Sequence, residues 1–458
     1  MRMATTLSVV VLGAGGIGHA VLTGMESGID RVDPFRDMKN RPEGSHGTNI
    51  LLVGTDGRDK ITKAEKEKYR LGGAPCHCTD TIMIVHISED NGRASIVSLP
   101  RDSYAEAPEH KDQSSGEHHR MHPVKINAAY AEGGPQLTVR TVEHMTKVKI
   151  DHYLEVDFTS FMKTVDVVGG VEICTVRPLK DSYTGLDLPV GTHRLNGGAA
   201  LQYVRSRHID GASDLGRMQR QQRFLAAFIA RASSSGILLN PVKFQQVTGT
   251  LLGSVRADKA FGSHEMLALG RAMKGFSPAS SEFTSVPIGK MGYSDEAIGS
   301  TIKWDPVKSE KLFRALREDK PLAPHRVRKP KATIVDVAPQ QIRVQVYNGT
   351  PTVGLGKSLD KSLRRTGFRT TNMPVNAPRL NLARTLVTYD PRWDRSAESL
   401  QAALPGCEMR AVRGQGGLLT VTAGADFKAN PGLVKKVMAE DPYQGEFGAV
   451  TGDQVVCP

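Results

Sequence analysis

Residues 81–100 read TIMIVHISEDNGRASIVSLP. Aliphatic and β-branched residues dominate 81–88 and 94–100, as is typical of buried strands. The EDNG segment between them has the acidic, Asn and Gly residues of a turn. A further apolar segment, NILLVGTD (49–56), precedes them and also runs into a glycine-containing turn. The sequence therefore predicts three successive strands.

Helices and a second unit are predicted further along the chain. Residues 126–146 predict a helix with a Gly-Gly-Pro break, and a long helix is predicted over 214–233. The basic, proline-containing APHRVRKPK (323–331) is predicted to be a linker. A small α/β unit follows, with predicted strands IRVQVYNGT (342–350), TLVTYDP (385–391) and GGLLTVTAG (416–424) and a predicted helix LGKSLDKSLRRTG (355–367).

The composition is that of a globular protein with an anionic partner. The chain has 458 residues, of which 39% are apolar and 24% charged. That is enough for two or three domains and a large core. The net charge of +12 and the pI of about 9.4 are compatible with nucleic acid, anionic lipid or anionic polymer as the partner.

The N-terminal stretch VVVLGAGGIGHAVL (9–22) has glycines at 13, 15 and 18, the spacing of a dinucleotide-binding turn. Such a site also needs a second strand that ends in an acidic residue. Residues 28–48 are polar and are interrupted by Pro34 and Pro42. No central strand is expected there, so a dinucleotide site is excluded.

The same stretch fits a membrane segment. No Asp, Glu, Lys or Arg occurs between Arg2 and Glu26, about the length that crosses a hydrocarbon core. We expect 1–26 to be a transmembrane anchor with Arg2 on the cytoplasmic side, or a cleaved leader. Residues 27–47 would be a tether, and the rest of the chain would lie outside the cytoplasm. The partners would then be anionic lipid, lipid-linked phosphate or wall polymer, and not nucleic acid.

Two carboxylates lie at neighbouring strand ends. Asp56 ends the first predicted strand, and Asp80 directly precedes the second. Carboxylates so placed can hold a hard cation such as Mg²⁺, which binds few protein carboxylates together with phosphate oxygens. The alternative is that each aspartate caps a turn.

Basic residues cluster near these predicted strands and on the long helix: Arg101, Lys125, Arg205, Arg207, Arg217 and Arg220. On the helix, Gln221 follows Arg217 by one turn, and Phe224 and Phe228 prolong the same face. A face that is cationic at one end and aromatic further along suits a phosphate joined to a hydrocarbon tail. The alternative is a solvated basic face.

These blocks together resemble a known family. The blocks are NILLVGTDGRD, TDTIMIVHIS, SIVSLPRDS, KINAAYAEGG, DFTSFMKTVDVVGGVEI, GGAALQYVRSRH and DLGRMQRQQRF, in that order. They resemble the LytR-CpsA-Psr family of cell-wall ligases over residues 48–233, and more loosely to 323. Residues 341–424 resemble the LytR C-terminal domain.

The resemblance implies an α/β fold: a three-layer α/β/α catalytic domain (48–323) with a central mixed sheet, a linker (324–340) and a small C-terminal α/β domain (341–458). It also implies Mg²⁺-dependent transfer of a glycopolymer from a polyprenyl-pyrophosphate carrier to a sugar hydroxyl of peptidoglycan. The alternatives are a non-catalytic polymer-binding or regulatory envelope protein, and a pyrophosphatase that acts on polyprenyl pyrophosphate.

By motif position, the resemblance assigns roles to single residues. Asp56 and Asp80 would hold Mg²⁺, and either could accept the proton of the acceptor sugar. The expected catalytic residues are Asp56, Asp80, Arg101, Arg205 and Arg207. The expected pyrophosphate-binding residues are Arg58, Arg101, Lys125, Arg205, Arg207, Arg217, Arg220 and Gln221. Arg58 is included because many members carry a basic residue close before the second aspartate, where this chain has APCHCTD.

Three further groups of residues have two interpretations each. Phe158, Phe161 and Val165, with Phe224 and Phe228, line a lipid tunnel or are ordinary core. The histidines at 110, 118, 119 and 122 capture zinc or belong to a solvated loop. The five cysteines of an exported chain allow two disulfides, for which we expect Cys76 or Cys78 with Cys174, and Cys407 with Cys457.

Overall fold

The computed structural model describes residues 30–57, 61–72, 79–209, 213–234, 255–262, 265, 277–323, 333–429, 432, 434–439 and 447–457. The predicted anchor (1–26) and the side chains of Arg58, Cys76 and Cys78 lie outside these residues. No helix within the described ranges is both long and apolar enough to cross a membrane.

The strands are β1 (Asp30–Val32), β2 (Thr48–Thr55), β3 (Thr79–Ile87), β4 (Ala94–Leu99), β5 (Tyr104–Ala107), β6 (His110–Lys111), β7 (His118–His119), β8 (His122–Lys125), β9 (His152–Val156), β10 (Val171–Thr175), β11 (Leu179–Asp181), β12 (Leu186–Leu188), β13 (Gly191–Leu195), β14 (Val255–Asp258), β15 (Ser281–Ser285), β16 (Ile288–Asp295), β17 (Gly299–Trp304), β18 (Thr333–Val335), β19 (Arg343–Asn348), β20 (Arg369–Thr370), β21 (Val375–Asn376), β22 (Leu386–Tyr389), β23 (Glu408–Ala411), β24 (Leu418–Ala423), β25 (Val437–Ala439) and β26 (Val450–Thr451). The α-helices are α1 (Lys63–Lys68), α2 (Ala128–Thr146), α3 (Phe158–Val167), α4 (Gly197–Arg205), α5 (Ser213–Ser234), α6 (Pro306–Arg317), α7 (Leu355–Arg365), α8 (Asp394–Ala403) and α9 (Ala425–Ala429).

The larger sheet is mixed, as predicted. Its order is β1-β14-β9-β2-β3-β4-β15-β26. The three strands predicted from 49–100 form its antiparallel centre, while β9 and β15 add in parallel on either side. The predicted turn after β3 contains Asn91 at φ 56°, and the Asp90 carboxylate accepts a hydrogen bond from the N–H of Gly92.

Helices cover both faces of this sheet. Because side chains alternate along a strand, Leu51 and Ile84 share a buried cluster with Leu137 of α2 and with α6. On the other face, Ile50 and Met83 pack in a cluster that contains residues of α5. Helices α3, α4 and α5 share a third cluster. The predicted three-layer α/β/α arrangement is therefore confirmed.

The C-terminal unit has its own sheet and core. Strands β20, β19, β24, β22 and β23 are hydrogen-bonded in that order, and β21 also pairs with β19. Leu359 and Leu363 of α7 and Leu400 of α8 are fully buried against this sheet. The predicted small α/β domain is present, and its strands and its first helix lie where the sequence pattern puts them.

Three short strands pair across the domain boundaries that the sequence predicts. The tether contains β1, which pairs with β14 of the large sheet. The linker contains β18, which pairs with β25, and Val335 belongs to the C-terminal core. Strand β26 returns from the C-terminal end to pair with β15 of the large sheet. This return covers a sheet edge that would otherwise be exposed, and it buries Val450 beside Phe283.

The same return explains why both predicted cysteine pairs are wrong. The disulfide joins Cys174 to Cys457, with a Cα–Cα distance of 5.5 Å. Cys407 is a free, buried thiol of the C-terminal core, and burial raises its pKa to about 11. The disulfide attaches Cys457 to β10, which belongs to the core cluster shared by α3, α4 and α5.

Prediction for the disulfide. Replacing Cys174 or Cys457 with serine should lower the free energy of unfolding by about 2–5 kcal/mol, because each change opens a covalent loop. The double variant should lose no more than either single variant, since both remove the same bond. Cys407→Ser is the control, and peptide mapping without reductant should recover the Cys174–Cys457 link. Additive losses, or absence of that link, would contradict the pairing.

Candidate active site

A β-bulge positions the two aspartates. In the β2–β3 ladder Gly54 pairs with Thr81 and Thr55 pairs with Thr79, so Asp80 is an extra residue on β3. Such a residue redirects its side chain relative to the regular pleat. Asp56 directly follows the end of β2, and both aspartates line one cavity of about 830 Å³.

Three arginines surround one oxygen of Asp80. Arg101 Nη1 lies 2.6 Å from Asp80 Oδ1, Arg207 Nη2 lies 3.5 Å from it and Arg217 Nη1 lies 3.7 Å from it. The guanidinium of Arg205, a fourth cation on the cavity wall, stacks over the ring of Phe158 at 4.9 Å. Positive charge therefore exceeds the negative charge that Asp80 supplies.

This crowding of charges shifts two pKa values. Burial alone would raise the pKa of Asp80, but the charges of Arg217, Arg101 and Arg207 and the hydrogen bond from Arg101 hold it below its ordinary value. Burial lowers the pKa of Arg217 to about 10; Arg207 and Arg101 act in the same direction, while Asp214 and Asp80 oppose them. Arg217 remains protonated at neutral pH.

Two acids that sequence reasoning missed hold the arginines in place. Asp181 Oδ2 accepts the backbone N–H groups of Arg207 at 2.9 Å and His208 at 3.2 Å. Burial would raise the pKa of Asp181, but these backbone hydrogen bonds keep it lowered. Asp214 Oδ1 lies 2.8 Å from Arg217 Nη2 and 3.6 Å from Arg207 Nε. Asp214 precedes Arg217 by three residues on α5, a helical spacing that could have revealed the pair.

Helix α5 connects the charged region to an apolar one. Arg217, Gln221, Phe224 and Phe228 all line the cavity. Because a helix rises about 1.5 Å per residue, they extend over roughly 16 Å. Gln221 Nε2 donates to Thr81 Oγ1 at 3.0 Å, and Phe224 stacks obliquely on Phe161 at 5.0 Å. The other apolar lining residues are Leu52, Val53, Met83, Leu154, Val156, Phe158, Phe161, Val165, Leu201, Val204, Leu225 and Val255.

The five residues Phe158, Phe161, Val165, Phe224 and Phe228 belong both to the core and to the cavity wall. Phe158, Val165 and Phe224 are buried members of the core cluster beneath α3, α4 and α5, and Phe161 and Phe228 pack against that cluster. All five also line the cavity. Core packing on one side of each side chain leaves the other side to form the apolar wall.

Three predicted pyrophosphate ligands are not on the described cavity wall. Arg220 is buried and donates to the carbonyl of Ser206. Lys125 Nζ lies 3.7 Å from Asp102 Oδ1; Asp102 Oδ2 lies 3.6 Å from Arg101 Nε. Lys125 therefore contacts Asp102, which in turn contacts the wall residue Arg101. Arg58 lies outside the described residues.

Arg70 is a cation on the cavity wall that the sequence did not single out. It follows α1 in a left-handed conformation, with φ 49°, and donates to the carbonyl of Ser182. Arg70 lies between β2 and β3 in the chain. The basic residue expected before the second aspartate would lie in the same stretch. No motif marks Arg70 in the sequence.

The fold and cavity define an α/β protein with a cationic site that adjoins an apolar wall in the same cavity. The family model for LytR_cpsA_psr matches residues 20–312, so the chain belongs to the LytR-CpsA-Psr family. A second model, described as LytR cell envelope-related transcriptional attenuator, matches 341–427.

Similar proteins include cell-wall enzymes. LcpB of Corynebacterium glutamicum, named a probable cell wall biosynthesis protein, is 34% identical over 64% of this chain and 66% of its own length. TagU of Bacillus anthracis, named a polyisoprenyl-teichoic acid–peptidoglycan teichoic acid transferase, is 31% identical over 50% of this chain and 69% of its own. The chain thus spans about two thirds of these relatives. The crystal structure of B. subtilis TagV is 27% identical, with a TM-score of 0.47, over 62% of this chain and 100% of that chain.

Prediction for Asp80. Asp80→Asn should reduce the free energy of unfolding at neutral pH by about 1.5–3 kcal/mol, the size of a hydrogen bond to a charged group. The folded-state pKa of Asp80 lies below its ordinary value of 3.8. The Asp80 carboxylate therefore contributes its full stability at any pH well above 3.8. That contribution is lost as the pH falls through the lowered pKa.

The difference in the free energy of unfolding between wild type and Asp80→Asn should therefore become smaller in acid, as measured by denaturant unfolding across pH. Asp187→Asn is the control, because Asp187 is exposed and forms only a surface ion pair with Lys180. A difference in the free energy of unfolding that stays constant from neutral to strongly acidic pH would contradict the ion pairs of Asp80 with Arg101, Arg207 and Arg217.

Proposed function

We propose that the protein is a phosphotransferase that moves an anionic glycopolymer from a polyprenyl-pyrophosphate carrier to a sugar hydroxyl of peptidoglycan. The observation that carries this proposal is a single cavity in which five arginines adjoin an apolar, phenylalanine-rich wall. Arginine's planar fork suits the adjacent oxygens of a pyrophosphate, and the apolar wall suits a prenyl chain. The name of the relative TagU describes transfer of the same class.

The charge balance supports a bound polyanion. Arg217 Nε is buried and has no hydrogen-bond partner among the described residues, and the pKa of Arg217 is lowered. A pyrophosphate would satisfy the buried donor and reduce the repulsion among Arg101, Arg207 and Arg217. The same cations would stabilise charge that develops on the phosphoryl oxygens during transfer.

The donor set also fits the Mg²⁺ that the family implies. Asp56 and Asp80 come from adjacent strand ends and face one cavity. The ion pairs from Arg101, Arg207 and Arg217 all use Asp80 Oδ1, which makes Oδ2 the oxygen for a cation. Asp56 and Asp80 would hold the metal, which when bound would supply further neutralisation of phosphate charge.

The transfer needs one base and one leaving group. The acceptor hydroxyl oxygen attacks the polymer-bearing phosphorus, and the bond from that phosphorus to the bridging oxygen breaks. A phosphodiester forms and polyprenyl phosphate leaves. We assign the acceptor proton to one of the two aspartates that line the cavity, Asp56 or Asp80.

Two further parts of the proposal concern binding and location. Arg70 would take the place of the basic residue expected before the second aspartate, because it lines the cavity. Residues 1–26 would anchor the chain in the membrane, with the site on the extracytoplasmic side. A prenyl chain that enters the cavity from the bilayer would then reach the arginines without leaving an apolar surface.

Prediction for transfer. Arg101→Ala and Arg205→Ala should each lower Mg²⁺-dependent transfer from a lipid-pyrophosphate donor to peptidoglycan fragments by at least about 10²-fold, the typical effect of losing a charge-stabilising donor. Arg223→Ala is the matched control, because Arg223 lies exposed on α5 and does not line the cavity. Transfer at the wild-type rate by Arg101→Ala and Arg205→Ala would refute the assignment. Phosphate release without a sugar acceptor would instead support the hydrolase alternative.

Prediction for the tunnel. Leu52→Trp should fill part of the apolar wall, because Leu52 is half-buried and lines the cavity. Transfer from a long-chain donor should fall at least about tenfold, since blocking even two buried CH₂ groups costs about 1.6 kcal/mol. Protection by inorganic pyrophosphate against thermal unfolding should be unchanged. Leu380→Trp, at an exposed site of the C-terminal unit, is the control. Normal use of long-chain donors by Leu52→Trp would exclude this wall as the lipid site.

A further inference from the structure

The histidine-rich segment after β4 contains paired strands, although most of its residues between 111 and 121 are exposed. Strands β5 and β8 pair, and inside them the short hairpin β6–β7 places His110 opposite His119. His122 begins β8. These elements pack beside the first turn of α2, where the carbonyl of Glu132 accepts the N–H of Gln113 at 2.8 Å.

The fold gathers three imidazoles and one carboxylate. The ring centroids of His110, His119 and His122 lie 5.3–5.6 Å apart. Glu132 Oε2 lies 3.1 Å from His122 Nε2 and 3.4 Å from His110 Nε2. Side-chain ligand atoms of His110, His122 and Glu132 all lie within 4.8 Å of one another.

Backbone contacts fix the tautomers of two rings. His110 Nδ1 lies 2.9 Å from the carbonyl of Pro108, and His122 Nδ1 lies 2.9 Å from the carbonyl of Arg120. A carbonyl only accepts, so both Nδ1 atoms carry the proton. In the neutral rings, both Nε2 lone pairs then face the Glu132 carboxylate. This backbone support is the usual outer shell of a metal-binding histidine.

One of these nitrogens is buried without a hydrogen bond. The side chain of His110 is only 5% exposed, and its Nε2 has no hydrogen-bond partner among the described residues. Its 3.4 Å approach to Glu132 Oε2 lacks hydrogen-bond geometry. A buried polar atom left in this state is costly, and a cation between the lone pairs and the carboxylate would remove that cost.

We propose that His110 Nε2, His122 Nε2 and the Glu132 carboxylate bind a zinc ion. Two imidazoles and one glutamate are a known zinc donor set, with water in the fourth position. Ligands about 2.0–2.2 Å from zinc in a tetrahedron are roughly 3.3–3.5 Å apart. The measured nitrogen–oxygen distances of 3.1 and 3.4 Å are close to that separation.

The zinc site lies outside the arginine cavity and does not depend on the proposed transfer. Zinc would link His110 of β6 and His122 of β8 to Glu132 of α2. Strand β8 ends at Lys125, whose amine faces Asp102 beside Arg101. Zinc would thus hold the strand next to the catalytic arginine in place.

The test is zinc binding by the purified full chain after removal of metal with a chelator. Competition with a chromophoric zinc indicator should show one more tightly bound zinc in wild type than in His110→Ala, His122→Ala or Glu132→Gln. Affinity at this site should fall at least about tenfold in each variant. His118→Ala is the matched control, because His118 neighbours His119 but is exposed. Asp80→Asn should also bind zinc as wild type does, which separates this site from the aspartate pair.

Two further readouts separate binding from misfolding. Glu132→Gln keeps the size of a half-buried side chain, so it should melt like metal-free wild type. Zinc should raise the melting temperature of wild type and His118→Ala, but not that of Glu132→Gln. Zinc should also slow hydrogen exchange in residues 108–123 of wild type and His118→Ala. Equal zinc binding by wild type and folded Glu132→Gln, or no zinc effect on 108–123, would overturn the proposal.

Discussion

The convergence of Arg101, Arg207 and Arg217 on Asp80 Oδ1 is the interaction on which the site depends. Asp80 Oδ1 lies 2.6–3.7 Å from three partly buried guanidinium groups. Asp214 also pairs with Arg217 and Arg207, and Asp102 with Arg101. Burial is the main cause of the lowered pKa of Arg217, and the charges of Arg207 and Arg101 lower it further. Asp214 and Asp181 hold the arginines in place through side-chain and backbone contacts. The result is a cationic cluster beside the cavity, and phosphoryl transfer there would depend on positioning and charge stabilisation.

The fold brings that charge next to an apolar space. A bulge in β3 aims Asp80 out of the regular pleat, and α5 presents Arg217 and Phe228 to one cavity. In the proposed function, this one helix would contact both the phosphate headgroup and its hydrocarbon tail. The C-terminal return of β26 and the Cys174–Cys457 disulfide stabilise the same domain from outside the site.

Local patterns in the sequence predicted much of this arrangement. The apolar segments at 49–56, 81–88 and 94–100 predicted the central strands because burial on both faces leaves few polar positions. The spacing of Arg217, Gln221, Phe224 and Phe228 predicted the lining face of α5. Long-range relations were not predictable: no local signal marks the return of Cys457, or the turn that brings Asp181 to the backbone of Arg207. Arg220 was assigned to the site by motif position, whereas its side chain donates to the carbonyl of Ser206.

The central claim is that one cavity binds a pyrophosphate and its prenyl tail together. The most direct measurement is the affinity of the full chain for isoprenyl diphosphates of increasing chain length, compared with inorganic pyrophosphate. Affinity should increase with each added unit, by up to about 0.8 kcal/mol per buried CH₂, until the cavity is filled, and Arg217→Ala should weaken every member of the series. Affinity equal to that of inorganic pyrophosphate at every chain length would contradict the account.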